Sequence, residues 1–312
     1  MPAPHPDPGV VTRARAALLG LVAGNQLGVP TESLGNAEAI RKAFPNGVRD
    51  LAPPPKNSPY DDDAAMALLL GESLLGTDGF DAGDVARRWV RWMKVDGRGI
   101  GLTTKRALTL IDRGKEPFEA GRLTQQENPS SSAGNSSVMR CIPAALRYHD
   151  DPDRLIRVST QQAAITHADE RCTWGAAALN LAARELLHGN IYFIDEVLHR
   201  IGDRMPRPLR EAIHRVPRES EGALPLNRPR EAGYVVHCLE IAFWFATHDR
   251  TMEETLILLA EAGGDTDTNA AVAGALLGAR YGEAALPPRW MDQLVGAQGI
   301  GKLAEDLVRG SA

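Results

Sequence analysis

Disulfide-forming cysteine, blocks of like charge and long apolar runs are all scarce or missing in this chain, and each shortage removes a class of protein. The three cysteines, Cys141, Cys172 and Cys238, are odd in number, widely spaced and without a CxxC pair, which argues against a disulfide framework or a zinc knuckle. A reducing, cytoplasmic setting is the expectation. No apolar run approaches the ~18 residues of a membrane span, so no membrane association is expected. The 35 basic residues stand against 40 acidic ones, for a net charge of −5, and the electrostatic footprint of a nucleic-acid binder is missing. Strand-like alternation between hairpin turns is essentially absent. The first ten residues, MPAPHPDPGV, carry four prolines and no apolar core, and read as a disordered tail, not a signal peptide.

What is present is helix. Segments such as TRARAALLGLVAGNQLG, DDAAMALLLGESLL, ERCTWGAAALNLAARELLHG and TMEETLILLAEAGG have helical periodicity, many opened by Asp, Ser or Thr and closed by Gly. Thr12 is a candidate cap for the first of them, and GNIYFIDEV, the best strand candidate, reads better as helix. Residues 44–60, 123–136 and 204–230, the first and last rich in proline, read as long loops. No polar linker divides the chain, so we expect an all-α fold: one domain over residues 11–312, a single compact bundle of roughly a dozen or more helices.

Glycine recurs every fourth residue inside the first helical run, at Gly20, Gly24 and Gly28, and again at Gly274 and Gly278. Each interior glycine costs about 1 kcal/mol relative to alanine, and positions four apart share a helix face. The two runs are expected to be central helices whose small-residue stripes allow close backbone contact.

Two acidic clusters stand at helix starts: Asp61, Asp62 and Asp63 in YDDDAAMALLL, and Asp265 and Asp267 in GGDTDTNAAVAG. One carboxylate near a helix N-terminus is stabilised by the helix dipole by ~0.3–1 kcal/mol. Three in a row repel one another unless a cation or hydrogen bonds compensate. An all-oxygen ligand set points to a hard ion, Mg²⁺, Mn²⁺ or Ca²⁺. An EF-hand is excluded although Asp265, Asp267 and Asn269 start its pattern: Ala270 stands where glycine is needed and Leu276 where a bidentate Glu is needed. The number of carboxylates fits a pair of ions about 3.5–4 Å apart better than one.

With these pieces in order, the chain resembles the ADP-ribosylglycohydrolase family over about residues 12–282. The resemblance rests on GLVAGNQLGVPTE (20–32), YDDDAAMAL (60–68), GIGLTT (99–104), GNSSVMRCIPAAL (134–146), ITH (165–167), GYVVHCLEIA (233–242) and GGDTDTNAAVAGALLGA (263–279). It implies an all-helical fold, a dinuclear Mg²⁺ or Mn²⁺ site, and hydrolysis of the bond between ADP-ribose and an acceptor, an arginine- or serine-type side chain or a small conjugate, with ADP-ribose as product. By that likeness Asp62, Asp63, Asp265, Asp267 and Thr268 are metal ligands, with Asp61 at a position the family gives to threonine. Glu32, Asp62 and Asp267 are the implied catalytic residues. Gly134, Asn135, Ser136 and Ser137 would cradle phosphate and ribose, with His167 and the loop glycines Gly99 and Gly101 also on the substrate. Asn25, Asp61 and Ala64 depart from the family pattern; an extra carboxylate at Asp61 implies tighter metal binding by less electrophilic ions. Two alternatives stay open: a member that binds ADP-ribose without turnover, and a non-enzymatic, crystallin-like structural role.

Overall fold

Asp7 starts the first helix, its carboxylate accepting from the Gly9 amide at 3.1 Å, with Pro8 at the first helical position, where a missing N–H breaks no bond. In this computed structural model, which describes residues 7–53, 59–77, 79–129, 133–228 and 231–310, the helix therefore begins inside the segment expected to be a disordered tail. Residues 1–6 lie outside the described residues. Thr12 is not the cap; it sits one turn in and returns its hydroxyl to the Pro8 carbonyl at 3.0 Å.

Seventeen α-helices follow among the described residues: α1 (Pro8–Glu32), α2 (Ala37–Ala43), α3 (Asp62–Gly76), α4 (Ala82–Val95), α5 (Leu102–Asp112), α6 (Pro117–Glu127), α7 (Ser136–Met139), α8 (Ile142–Arg147), α9 (Pro152–Ala164), α10 (Glu170–Leu187), α11 (Phe193–Ile201), α12 (Arg207–Arg215), α13 (Val235–Thr247), α14 (Met252–Ala262), α15 (Thr266–Tyr281), α16 (Pro288–Gln293) and α17 (Ala297–Arg309). Strand geometry among the described residues is limited to two isolated bridges, Asn36 with Gly263 and Gly134 with Tyr234. The all-α expectation holds, and one cluster of buried apolar residues extends from Val10 to Val308. None of the described helices is long and apolar enough to cross a membrane.

At the centre lie α1 and α15, both buried on nearly every side. They run antiparallel with backbone against backbone. A Cβ on Gly20 would strike the Gly274 carbonyl and one on Gly274 the Gly20 carbonyl; Gly24 faces Ala270, Gly28 faces Asp267, and Gly278 faces Ala16. The partners descend on α15 as they ascend on α1, so the end of α1 is fixed against the start of α15. Close approach offsets the propensity lost at each glycine by adding dispersion contacts along the seam.

The proline-rich segment 204–230 is the clearest departure from expectation. Pro206 and Pro208 flank the first position of α12, where proline suits the first turn. Leu209, Ala212, Ile213 and Val216 then supply a buried stripe. Likewise α6 extends to Glu127, into the loop expected over 123–136, while residues 130–132 lie outside the described ones. Residues 136–147 form two short helices, α7 and α8, with Pro143 in the first turn of α8. GNIYFIDEV is helical from Phe193, as expected.

Replacing Gly24 by leucine is expected to abolish soluble expression, and Gly24→Ala to cost about 3 kcal/mol or more, a fall of about 6 °C in Tm. A soluble Gly24→Leu protein melting at the wild-type temperature would contradict the backbone seam.

Candidate metal centre

The antiparallel seam delivers Glu32, on the last turn of α1, to the first turn of α15, where Asp265 and Asp267 stand. From the start of α3 come Asp61, Asp62 and Asp63. Asp61, Asp62, Asp63 and Asp267 are buried; Asp265 is half-buried and Glu32 lies on the exposed rim.

Capping does not explain these groups. Asp61 and Asp265 occupy the N-cap positions of α3 and α15, yet neither side chain makes a well-formed capping hydrogen bond there, the Asp63 amide giving the Asp61 carboxylate only a minor pull. Asp7, Asp81, Asp151 and Asp169 do cap their helices in the usual way. The site carboxylates instead turn toward one another. One oxygen from each of Asp61, Asp63 and Asp267 lies within 4.8 Å of the others, and so do atoms of Glu32, Asp265 and Asp267. Asp267 belongs to both groups.

Burial and mutual repulsion raise the carboxyl pKa values. Asp62, Asp63 and Asp267 are held well above the ordinary value, through desolvation first and then through neighbouring carboxylates, Asp61 and Asp265 in each case. Asp61 is pushed up to about 6 by desolvation, against the opposing pull of the Asn25 amide and the Arg98 guanidinium. Glu32 is raised to about 7, by desolvation of its carboxylate and then by Asp265 and Asp61; its side chain is open to solvent, but like charge alone pushes the same way. Asp61 Oδ1, Asp63 Oδ1 and Asp267 Oδ1 are buried without a hydrogen-bond partner. Buried acceptors are rarely left so, and an all-oxygen set of anions fits a hard divalent cation. These residues could therefore hold a metal ion.

Neighbouring loops close over the cluster. Asn135 donates from Nδ2 to Asp265 Oδ2 at 2.8 Å, so the side chain expected to cradle a ligand also orients a carboxylate. Its backbone N–H donates to Gly233 O at 2.8 Å, and Val235 N–H to Ala133 O at 3.0 Å, pinning the 134–137 loop beside the start of α13. Gly99 has φ +79°, and a Cβ there would run into the Asp62 carboxylate; only glycine suits both constraints. Asp62 thus faces the 97–101 loop and belongs to neither carboxylate triad. Gly101, at the start of α5, lies near the Ser136 hydroxyl. Thr268 is buried and its hydroxyl acts on Asp63.

His167 is buried against Gly134. Arg140, fully buried over the Trp89 ring at 4.0 Å, donates to Thr166 Oγ1 at 2.7 Å, which lies 2.8 Å from His167 Nδ1. A guanidinium only donates, so the Thr166 oxygen accepts from it and its O–H donates to Nδ1. That leaves His167 Nε2 as an N–H donor facing the loop. Desolvation, and then Arg140, push His167 down to about 3, keeping the ring neutral. Sequence reasoning missed Arg140 and Thr166; the available signal was a lone arginine inside the apolar run VMRCIPAAL.

Fold and site together define an all-helical protein built around a buried carboxylate cluster suited to divalent cations. The ADP-ribosylglycohydrolase family model matches residues 6–312, and the chain belongs to that family. It is 32 % identical over 308 residues to the ADP-ribosylarginine hydrolase Tri1 of Pseudomonas putida (strain GB-1), covering 95 % of this chain and 77 % of that one. Identity is 29 % to the ADP-ribosyl-[dinitrogen reductase] glycohydrolase of Rhodospirillum rubrum, over 92 % of each chain. It is 27 % to the ADP-ribosylhydrolase ARH3 of Bos taurus, over 96 % and 93 %. Among solved structures, an ADP-ribosylglycohydrolase-related protein complex matches with a TM-score of 0.78 at 31 % identity, covering 97 % of this chain and 99 % of that one.

The raised carboxyl pKa values set a pH dependence. Between the ordinary values, 3.8 for Asp61 and 4.5 for Glu32, and the folded ones near 6 and 7, the folded protein holds protons that the unfolded chain has released. Stability of the metal-free protein then falls as pH rises through that window. In chelator, Tm at about pH 7.5 is expected to lie about 5 °C or more below that at about pH 5, with Mn²⁺ restoring more at the higher pH. A metal-free Tm that is flat or rising over this range would contradict the electrostatics.

Proposed function

We propose that this protein is a divalent-metal-dependent hydrolase that releases ADP-ribose from an ADP-ribosylated acceptor. The observation that carries the reading is the pair of carboxylate triads sharing Asp267, in a chain of the ADP-ribosylglycohydrolase family. Asp61, Asp63 and Asp267 would hold one Mg²⁺ or Mn²⁺ ion, and Glu32, Asp265 and Asp267 a second, with Thr268 and Asp62 completing the shell. Bound there, such ions supply Lewis acidity: they anchor ribose hydroxyls and make water a better nucleophile near neutral pH.

The chain's own residues do the positioning. Asn135 fixes the Asp265 carboxylate. His167, neutral and with Nε2–H toward the 134–137 loop, offers a donor to a ribose hydroxyl or phosphate oxygen without adding charge. Gly134, Asn135, Ser136 and Ser137 would line the nucleotide, with Gly99 and Gly101 opposite. Glu32, on the exposed rim, would close the cluster from its solvent side. The reaction adds water across the bond: its oxygen joins the anomeric carbon, and the acceptor departs with a proton.

The acceptor we favour is arginine. Six carboxylates, those of Glu32, Asp61, Asp62, Asp63, Asp265 and Asp267, outweigh two divalent cations, and excess negative charge suits a cationic guanidinium better than a neutral serine hydroxyl. The name of the Pseudomonas putida relative points the same way. Buried thiols at all three cysteines suit a reducing, cytoplasmic setting.

ADP-ribosyl-arginine and ADP-ribosyl-serine peptides incubated with protein and Mn²⁺ test this. Free ADP-ribose is expected from the arginine conjugate, lost with chelator, and kcat/KM is expected to fall about a thousandfold in Asp267→Ala, equivalent to ~4 kcal/mol of transition-state stabilisation. Asn25 beside Asp61 and Ala64 on α3 depart from the family pattern and favour a second reading, a binder without turnover; ADP-ribose binding with no release from either conjugate would select it.

A further inference from the structure

Away from the carboxylate cluster, three helix C-termini meet. His149 follows α8, His188 ends α10, and Val308 lies in the last turn of α17. Helix C-termini carry partial negative charge and favour cations. One ligand atom from each of His149, Asp150 and His188 lies within 4.8 Å of the others, and the two imidazole rings are 5.5 Å apart, tilted by 36°.

The hydrogen bonds fix which ring nitrogens are available. His149 Nε2 lies 3.3 Å from the Val308 carbonyl, and His188 Nε2 lies 3.3 Å from the His149 carbonyl. A carbonyl only accepts, so each Nε2 carries the proton and each neutral ring keeps a lone pair on Nδ1. Pinning of the distal nitrogen by a carbonyl is the arrangement that orients metal-ligating histidines. His149 is 4 % exposed, and its Nδ1 makes no hydrogen bond although the Asp150 carboxylate is 3.0 Å away. A buried lone pair therefore faces an anion, an arrangement that a cation between them relieves. The nearby Arg184 donates to the His149 carbonyl at 2.8 Å and is paired with Glu185, which offsets its charge.

We propose that His149, Asp150 and His188 form a second metal site, independent of the carboxylate cluster and selective for a borderline ion of the Zn²⁺ type. Two imidazoles and one carboxylate are donors that Zn²⁺ prefers and Mg²⁺ does not. Asp150 and His188 are exposed, giving the ion a route in and leaving room for water to complete a tetrahedral shell. The ion would join the ends of α8 and α10 and, through the Val308 carbonyl, seat α17, so its role is structural.

Untagged full-length protein, with its carboxylate cluster filled by excess Mg²⁺, is dialysed against Zn²⁺ and its bound zinc measured. We expect one Zn²⁺ per chain that Mg²⁺ does not displace, held about tenfold or more weakly in His188→Ala and in Asp150→Asn. Both substitutions are at exposed positions, and the zinc-free variants should melt as the wild type does. Zinc should raise the wild-type Tm and not that of the double variant. Equal zinc uptake by wild type and double variant, or none by the wild type, would overturn the proposal.

Discussion

Two helix backbones in direct contact hold this structure in register. Gly20, Gly24 and Gly28 on α1 and Gly274 and Gly278 on α15 leave no side chain between the helices along the seam. Two helices this close cannot rotate or slide by a fraction of a turn without steric overlap. The end of α1 is thereby fixed against the start of α15, and Glu32, Asp265 and Asp267 inherit that fixity. The Thr31 hydroxyl, 2.9 Å from that of Thr266, and Thr266, donating to the Gly28 carbonyl at 3.0 Å, close the same corner.

Onto this corner the fold presses more like charge than it locally compensates. Asp62, Asp63 and Asp267 are removed from water, and the charges of Asp61 and Asp265 raise the pKa of each further. Nearby compensation is partial: Arg98 and Asn25 act on Asp61, Asn135 on Asp265, and Thr268 on Asp63. Arg140 is held beneath by its aromatic stack and by Gln162 and Thr166; burial lowers it to about 9, which leaves it charged at neutral pH. Stability is thus given up at the cluster, in the way that strongly perturbed carboxylates mark candidate functional sites.

Much of this was legible in the residue order. Glycine at every fourth position inside a helical run has a propensity cost that only close packing offsets, so Gly20, Gly24 and Gly28 announced the seam. Carboxylates in excess of what one cap needs announced the cluster, and the helices show that Asp61 and Asp265 make no well-formed side-chain cap. What stayed hidden depends on pairings between distant positions. Asn135 reaches Asp265 across 130 residues, and Thr31 reaches Thr266 across 235; no local pattern encodes either. The helix α12 was obscured by Pro206 and Pro208, because proline breaks a helix interior but suits its first turn. His149 and His188 end different helices, and only packing brings their rings together.

The choice between cation site and dipole-favoured acids is sharpest at Asp267, in the first turn of α15. Melting of Asp267→Asn beside wild type, in chelator and in Mn²⁺, separates them. If the cluster is built for a cation, removing one buried like charge raises Tm in chelator and erases the stabilisation by Mn²⁺. If Asp267 serves the helix dipole, Tm falls in chelator and the response to Mn²⁺ matches that of the wild type, which would contradict the metal centre proposed here.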